Sequence, residues 1–285
     1  MKVIITGQGR SGTTALFYAF KKAMPRRTKC FFEPKGFELD DKLLGENILV
    51  KILFRNATRY GSYEESSRPV FQFDCRGVNF FDKKIFIVRD PRDRLISQLL
   101  YSVWTEGSLK DADKVSGFVK LLENKEKTPK SVSFASIINS RIALSKEALT
   151  FQDWLSRCAA FYDFSLQFGA TNPDFLVFHY EKLVTGRFDL LERYTGLKFS
   201  KNINVEDAYR RVVRTKNAGD WKNWFLEEDV HLFRPIFEKY MRCYGYGSDW
   251  TLNSTPHIDP LHASKFVKKL MADRKCFDKR RPGRA

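Results

Sequence analysis

The residues best suited to chemistry lie in one short segment, Gly7-Gln8-Gly9-Arg10-Ser11-Gly12-Thr13-Thr14. Its glycines allow a tight turn that can direct successive backbone N–H groups at one anion. The hydroxyl groups and the planar Arg10 cation add further donors. A short apolar run precedes the segment and a helical pattern follows it, and the amino end of a helix favours negative charge. The sequence therefore predicts a phosphate-binding loop.

This loop departs at one position from the nucleotide-triphosphatase pattern GxxxxGK[ST]. Thr13 stands where that pattern has lysine, so the cation that contacts the β- and γ-phosphates of ATP is missing there. The loop carries its cation three residues earlier, at Arg10. We therefore expect phosphate binding, and we keep an ATP-dependent phosphotransferase as an alternative.

A second candidate anion site begins at Arg89. Asp90 is a favourable N-cap and Pro91 suits the first helical position, so a helix is expected to start here after an apolar strand. Ser97 lies seven residues beyond Asp90, about two turns, and falls on nearly the same helix face. Arg89 and Ser97 could then contact one ligand group. The alternative is that Arg89 pairs with an acid and Ser97 only fills the helix surface.

Short apolar runs that alternate with helical patterns must position these residues. We expect the runs to be buried strands, because they do not alternate strictly with polar residues. They are residues 3–5, 30–32, 48–54, 85–88 and 175–178, and the clearest helical patterns are 91–103 and 151–168. This order predicts an α/β fold, a three-layer sandwich with a central, mainly parallel sheet and a P-loop-like phosphate-binding loop.

The domain organisation is expected to be simple. We assign residues 1–272 to a single domain and residues 273–285 to a basic C-terminal tail. Residues 106–150 are rich in Lys, Glu, Asp and Ser, and they predict an inserted helical or mobile segment on the rim, on the acceptor side or as a lid.

Charge is concentrated at the two ends of the chain. The net charge is +16, and residues 1–35 and 265–285 are both strongly basic. This distribution favours a polyanionic partner, either nucleic acid or a multiply phosphorylated small molecule. Signatures of nucleic-acid-binding folds are not apparent, so a basic nucleic-acid-binding protein is only the weaker alternative and no nucleic-acid partner is expected.

Composition excludes several other classes. The 43% of hydrophobic residues is too high for a disordered chain, and no apolar run is long enough for a membrane helix. The five cysteines are scattered without a CxxC pair, so neither a disulfide framework nor a zinc site is indicated. No His, Asp or Glu cluster has metal-ligand spacing. A cytoplasmic protein without a metal is the expectation, and its oligomeric state is open.

Four segments together resemble a known enzyme family. Gly9–Thr14 resembles the 5′-phosphosulfate loop of the sulfotransferases that use 3′-phosphoadenosine 5′-phosphosulfate (PAPS). Arg89–Asp93 with Ser97 resembles the 3′-phosphate motif of that family. Residues 179–183 resemble its Tyr-Glu-Asp-Leu segment, and residues 214–223 are similar to its Gly-Asp-Trp-Lys signature. The segments occur in family order, and their joint occurrence is far more specific than any one of them.

The resemblance implies a sulfotransferase that binds one PAPS per chain and releases adenosine 3′,5′-bisphosphate (PAP). It implies a phosphosulfate site formed by Gly9, Arg10, Ser11, Gly12, Thr13 and Thr14. It implies a 3′-phosphate site formed by Arg89, Ser97, Arg214 and Lys216, and we add Tyr180 and Gly219 to the cofactor-binding residues. At residues 214–216 the family usually has Arg-Lys-Gly, whereas this chain has Arg-Thr-Lys.

The implied reaction is in-line transfer of a sulfuryl group from PAPS to a hydroxyl or, less readily, an amine of a small-molecule or oligosaccharide acceptor. Arg10 is expected to neutralise charge on the leaving group. The acceptor needs a base, and Glu33 is the first candidate because it ends a strand at the loop edge of the sheet. Asp74 is the second candidate and falls where many soluble sulfotransferases have a catalytic histidine.

Overall fold

A computed structural model describes residues 1–34, 45–56, 69–70, 79–105, 112–145, 149–215 and 217–279. The chain forms two compact units. The first consists of Met1–Asp90 and Ala160–Arg210, and the second of Pro91–Ala159 and Arg211–Ala285.

All strands of the described chain lie before residue 180, and the regular elements described after that residue are helices. The strands are β1 (Lys2–Gln8), β2 (Lys29–Phe32), β3 (Ile48–Asn56), β4 (Pro69–Val70), β5 (Lys83–Val88) and β6 (Leu176–His179). The helices are α1 (Thr13–Ala23), α2 (Pro91–Thr105), α3 (Ala112–Lys127), α4 (Phe134–Ile142), α5 (Phe151–Thr171), α6 (Tyr180–Val184), α7 (Asp189–Thr195), α8 (Trp221–Trp224), α9 (Glu227–Cys243) and α10 (Ser264–Lys279).

The first unit contains the sheet. Its strand order is β2-β3-β1-β5-β6, all parallel, and the two-residue β4 pairs antiparallel with β3. All five predicted strands are present, and the predicted parallel sheet is confirmed. Strands β1 and β5 are buried along most of their length, because helices cover both faces of the sheet there.

The two faces of β1 show how the layers form. Val3 and Ile5 pack with Leu16 and Phe20 of α1, and residues of α6 and α7 belong to the same buried cluster. On the opposite face α5 packs through its later turns, where the ring of Phe168 lies 5.1 Å from that of Phe86 in β5. This arrangement is the predicted α/β three-layer sandwich.

The second unit is a helical assembly with its own core. Phe134 of α4 stacks on Phe225 and also contacts Phe233 of α9, while Val267 of α10 is fully buried. Helix α10 packs against α2 and α3. Residues 106–150 include α3 and α4, which bury large apolar side chains such as Phe118. The roles of this region as an insertion or lid, and the single-domain description, stay predictions.

A buried carboxylate ties two helices of the second unit together. Asp229 in α9 is fully buried, and it accepts hydrogen bonds from the backbone N–H groups of Phe134, Ala135 and Leu226 at 2.8–2.9 Å. Burial raises the pKa of this carboxyl group, while the three backbone donors act in the opposite direction. Asp229 thus caps the amino ends of α4 and α9, because it accepts hydrogen bonds from their backbone N–H groups.

Candidate functional site

The predicted phosphate loop connects the end of β1 to the start of α1. Arg10 has φ of 70° and Gly12 has φ of 91°, so two of its residues adopt left-handed backbone conformations. Turns of this kind expose neighbouring N–H groups on one concave side and bind anions. The 11-residue helix α1 adds the partial positive charge of its amino end. The loop predicted from the glycine pattern is therefore present in the expected strand–loop–helix context.

A buried hydroxyl lies inside this loop. The side chain of Ser11 is fully buried, and its Oγ has no hydrogen-bond partner among the residues that the structure describes. A buried hydroxyl without a partner costs about 1–3 kcal/mol. A hydroxyl group in this position can donate a hydrogen bond to an oxyanion.

Both the backbone conformation and the neighbouring side chains restrict position 12 to glycine. A Cβ atom at this position would lie 2.5 Å from Cδ2 of Tyr180, the first residue of α6. The loop is therefore packed directly against the tyrosine of the segment at residues 179–183.

Substitution of Gly12 by alanine should lower the free energy of unfolding by about 3 kcal/mol, because left-handed strain and a steric clash add together. Gly196 is a matched control in the same unit, since its φ is 73° but a Cβ atom added there would have no described neighbour within 4 Å. The control substitution should cost only about 1 kcal/mol. Denaturant unfolding measures both, and equal losses would show that Tyr180 does not restrict the loop.

Arg89 joins the loop to the same tyrosine. This residue follows β5 and is buried, its NH1 donates to the carbonyl oxygen of Arg10 at 3.0 Å, and its guanidinium lies 4.1 Å from the ring centre of Tyr180. Its Nε is buried without a hydrogen-bond partner in the described part of the chain. The neighbouring Asp90 N–H donates to Glu181 at 3.0 Å. Three of the sequence segments therefore meet in the first unit.

A lysine that was not predicted from the sequence lies beside the loop. Lys51 in β3 has a side chain that is only 1% exposed. Its Nζ lies 3.0 Å from Oγ1 of Thr14, 2.5 Å from Oε1 of Glu33 and 3.9 Å from the ring centre of Phe32. The neighbouring strand thus places a cation beside Thr14, one residue after the position at which the GxxxxGK[ST] pattern has lysine. The one sequence signal of Lys51 is a charged residue inside an otherwise apolar strand.

Glu33 is held at the loop edge as predicted. Its φ is 49°, a left-handed conformation, and its backbone N–H donates to the carbonyl oxygen of Lys51 at 2.9 Å. The carboxylate is 24% exposed, so it faces both the buried ammonium and the surface. An outlying backbone conformation that tertiary contacts maintain is common at functional sites. Glu33 and Thr14 therefore share one ammonium group next to the phosphate loop.

The remaining candidates lie elsewhere or outside the described residues. Ser97 in α2 and Arg214 belong to the second unit, and both side chains are buried. Gly219, also in that unit, has φ of 86°. Asp74 and Lys216 fall outside the described residues. The helix predicted to begin after Asp90 does begin at Pro91.

Metal clusters and membrane spans are both absent from the part of the chain that the structure describes. Within these ranges, no group of three or more His, Cys, Asp or Glu side chains could hold a metal ion. None of the described helices is long and apolar enough to span a bilayer. The expected absence of a metal and the cytoplasmic location stay predictions.

Comparison with known proteins gives similarities to solved structures. No protein-family model matches the sequence, and no curated protein matches it. A crystal structure of the mouse sulfotransferase SULT7A1 complexed with PAP is similar over 94% of this chain and 88% of that chain. The sequence identity is 14% and the TM-score 0.48. A similarity at this level identifies no activity for the present chain.

Proposed function

We propose that this protein is a sulfotransferase that moves a sulfuryl group from PAPS to a hydroxyl group of an acceptor. The observation that carries the proposal is the strand–loop–helix segment of the first unit. The buried Ser11 Oγ of this loop has no hydrogen-bond partner among the described residues, and the buried Arg89 donates to the loop. The loop residues Gly9–Thr14 are proposed to bind the 5′-phosphosulfate. The choice of PAPS as the ligand rests on the resemblance of the four sequence segments to the PAPS-dependent sulfotransferases.

The donor set fits an anionic sulfuryl and phosphate group. Backbone N–H groups, the Ser11 hydroxyl and a helix amino end are neutral or weakly positive donors, and they suit oxyanions without a metal. The guanidinium of Arg89 is buried, and its Nε has no hydrogen-bond partner among the described residues. We propose that Arg89 binds the 3′-phosphate. The corresponding roles of Ser97, Arg214 and Lys216 stay predictions from the sequence.

Lys51 and Glu33 are proposed to share the chemistry at the reacting centre. Transfer requires that the acceptor oxygen bond to sulfur while the bond from sulfur to the leaving phosphate oxygen breaks, and that the acceptor proton be removed. Glu33 would accept that proton. The Lys51 ammonium lies between Glu33 and Thr14 of the loop, where it can stabilise negative charge that develops on the transferred group or its leaving oxygen.

The Lys51–Glu33 pair also distinguishes this proposal from an ATP-dependent phosphotransferase. A lysine reserved for the β- and γ-phosphates of ATP would have its charge directed at those phosphates. Here the ammonium is already 2.5 Å from a carboxylate, and that carboxylate would repel a doubly charged γ-phosphate more strongly than a singly charged sulfuryl group. Magnesium-dependent ATP turnover by the purified protein would nevertheless support the phosphotransferase instead.

Binding of PAP tests the proposal directly. Isothermal titration should show PAP bound with a Kd well below about 10 μM, and more tightly than adenosine 5′-phosphate. Absence of PAP binding at tens of micromolar would contradict the proposed function. A screen for PAPS-dependent activity across hydroxyl and amine acceptors would then identify the acceptor class, from small phenols to oligosaccharides.

Substitution of Glu33 by glutamine should lower the rate of sulfuryl transfer about 10²- to 10⁴-fold, the usual contribution of a general base. PAP affinity should change little, because the general base is proposed to act on the acceptor and not on PAP. Glu206→Gln is a matched control, since that carboxylate pairs with Lys21 at 2.7 Å in the same unit. Full activity of Glu33→Gln would remove Glu33 as the base.

A further inference from the structure

We propose that Asp93 is a positioning residue that fixes the location of Arg214. The inference rests on the proposed function, in which Arg214 contributes to binding the 3′-phosphate of PAPS. Asp93 lies in the first turn of α2, where negative charge is favourable. Its carboxylate also holds a segment that is distant along the chain, and Arg214 depends on that segment.

Both oxygens of the Asp93 carboxylate are used. The side chain is fully buried at the amino end of α2. Oδ2 accepts a hydrogen bond from the backbone N–H of Gly219 at 2.5 Å, and Oδ1 accepts one from that of Trp221 at 2.9 Å. A single carboxylate thus anchors two backbone positions that are 126 and 128 residues away in sequence.

The residue between these two positions pairs with Arg214. Asp220 lies between the anchored Gly219 and Trp221, and its Oδ2 is 2.9 Å from NH1 of Arg214. The same NH1 donates to the carbonyl oxygen of His262 at 3.2 Å. Since the Arg214 side chain is 1% exposed, these contacts fix where its guanidinium lies. A shift of the anchored turn would move Asp220, and with it Arg214.

The residue before Asp93 contacts the same segment through its side chain. The Arg92 guanidinium lies 3.8 Å from the ring centre of Trp221 and 4.8 Å from that of Trp250. Trp221 is itself 1% exposed, as expected for a packed core residue. We expect this packing to keep Trp221 in place when the Asp93 hydrogen bonds are removed. Loss of the carboxylate should therefore loosen the turn around Gly219 without unfolding the unit.

The experiment compares two ligands that differ by one phosphate. Isothermal titration of Asp93→Asn with PAP and with adenosine 5′-phosphate gives the factor by which the 3′-phosphate improves binding. We expect that factor to fall about tenfold in the variant, while the affinity for adenosine 5′-phosphate stays within twofold. A role limited to stability would change the unfolding midpoint and leave the factor unchanged.

Asp229→Asn is the matched control. Asp229 is also a fully buried carboxylate of the second unit that accepts backbone hydrogen bonds, but its donors lie in α4 and before α9. This variant should lose stability and keep the preference for PAP. Gly219→Ala provides a second route to the same turn, because its φ of 86° strains any side chain while no described atom would crowd the added Cβ. It should lower the 3′-phosphate factor as Asp93→Asn does.

Each outcome decides between the alternatives. Unchanged preference for PAP in folded Asp93→Asn, or an equal loss in Asp229→Asn, would overturn the positioning role. If Asp93→Asn does not fold, Gly219→Ala is measured by the same ratio, and an unchanged ratio in that variant overturns the positioning role. A wild-type protein that binds PAP no better than adenosine 5′-phosphate would contradict the proposed 3′-phosphate site, and this inference with it.

Discussion

Replacement of Lys51 by methionine should lower the rate of sulfuryl transfer about a hundredfold to a thousandfold. The rate is measured as PAP formed from PAPS in the presence of an acceptor that the wild-type protein uses. Lys51 is the buried ammonium beside Thr14 and Glu33, and removal of one preorganised charge from a reacting centre has effects of this size. Methionine keeps the length and the apolar stem of lysine, so the packing in β3 is preserved. PAP affinity should fall much less than the rate.

The stability of the same variant provides the internal control. Replacing a buried charge by an apolar side chain of similar volume is often neutral or stabilising, although here it leaves the carboxylate of Glu33 without its ammonium partner. Denaturant unfolding should therefore show a folded protein. Lys51→Arg should recover part of the rate because it keeps the charge. A folded Lys51→Met protein with a rate within tenfold of the wild type would exclude Lys51 from the chemistry.

Substitution of Arg89 by alanine should weaken PAP binding about a hundredfold. The variant would lack a charge-assisted hydrogen bond from the guanidinium to the phosphate. Such a bond contributes about 1.5–3 kcal/mol, or a factor of about 10–150 in Kd. The variant would also lose the hydrogen bond to the carbonyl oxygen of Arg10, which supports the phosphate loop. Isothermal titration with PAP measures the combined effect.

Adenosine 5′-phosphate separates the two contributions of Arg89. Its binding should weaken only about tenfold, because it needs the loop but has no 3′-phosphate. Arg89→Lys should restore charge without the planar fork that contacts both Arg10 and Tyr180. Equal losses for both ligands in Arg89→Ala would mean that Arg89 only supports the loop and does not contact the 3′-phosphate.

The sequence predicted the fold because burial leaves a clear pattern in it. Parallel strands covered on both faces, such as residues 85–88, are continuous apolar runs, and glycines must occur where the chain turns between β1 and α1. The pattern at residues 112–142 was harder to interpret. There α3 buries one face, and its many charged residues dominate the composition.

The candidate site was predicted only where its residues are close in sequence. The loop at residues 9–14 and the helix start after Asp90 are local features, so spacing was sufficient to find them. Lys51 and Asp93 act through neighbours that are remote in sequence. Lys51 reaches Thr14 because β3 lies next to β1, and a strand order is not written in any single segment. Asp93 binds a turn more than 120 residues away.

The location of Lys51 has a consequence for how this site could change. In the GxxxxGK[ST] pattern, one loop supplies both the backbone amides and the lysine, so an altered loop alters shape and charge together. Here the amides lie between β1 and α1, whereas the ammonium is embedded in the sheet. The two properties are therefore under separate mutational control. Substitutions at residues 8–12 could change ligand selectivity while the Lys51 ammonium stays in place in the sheet.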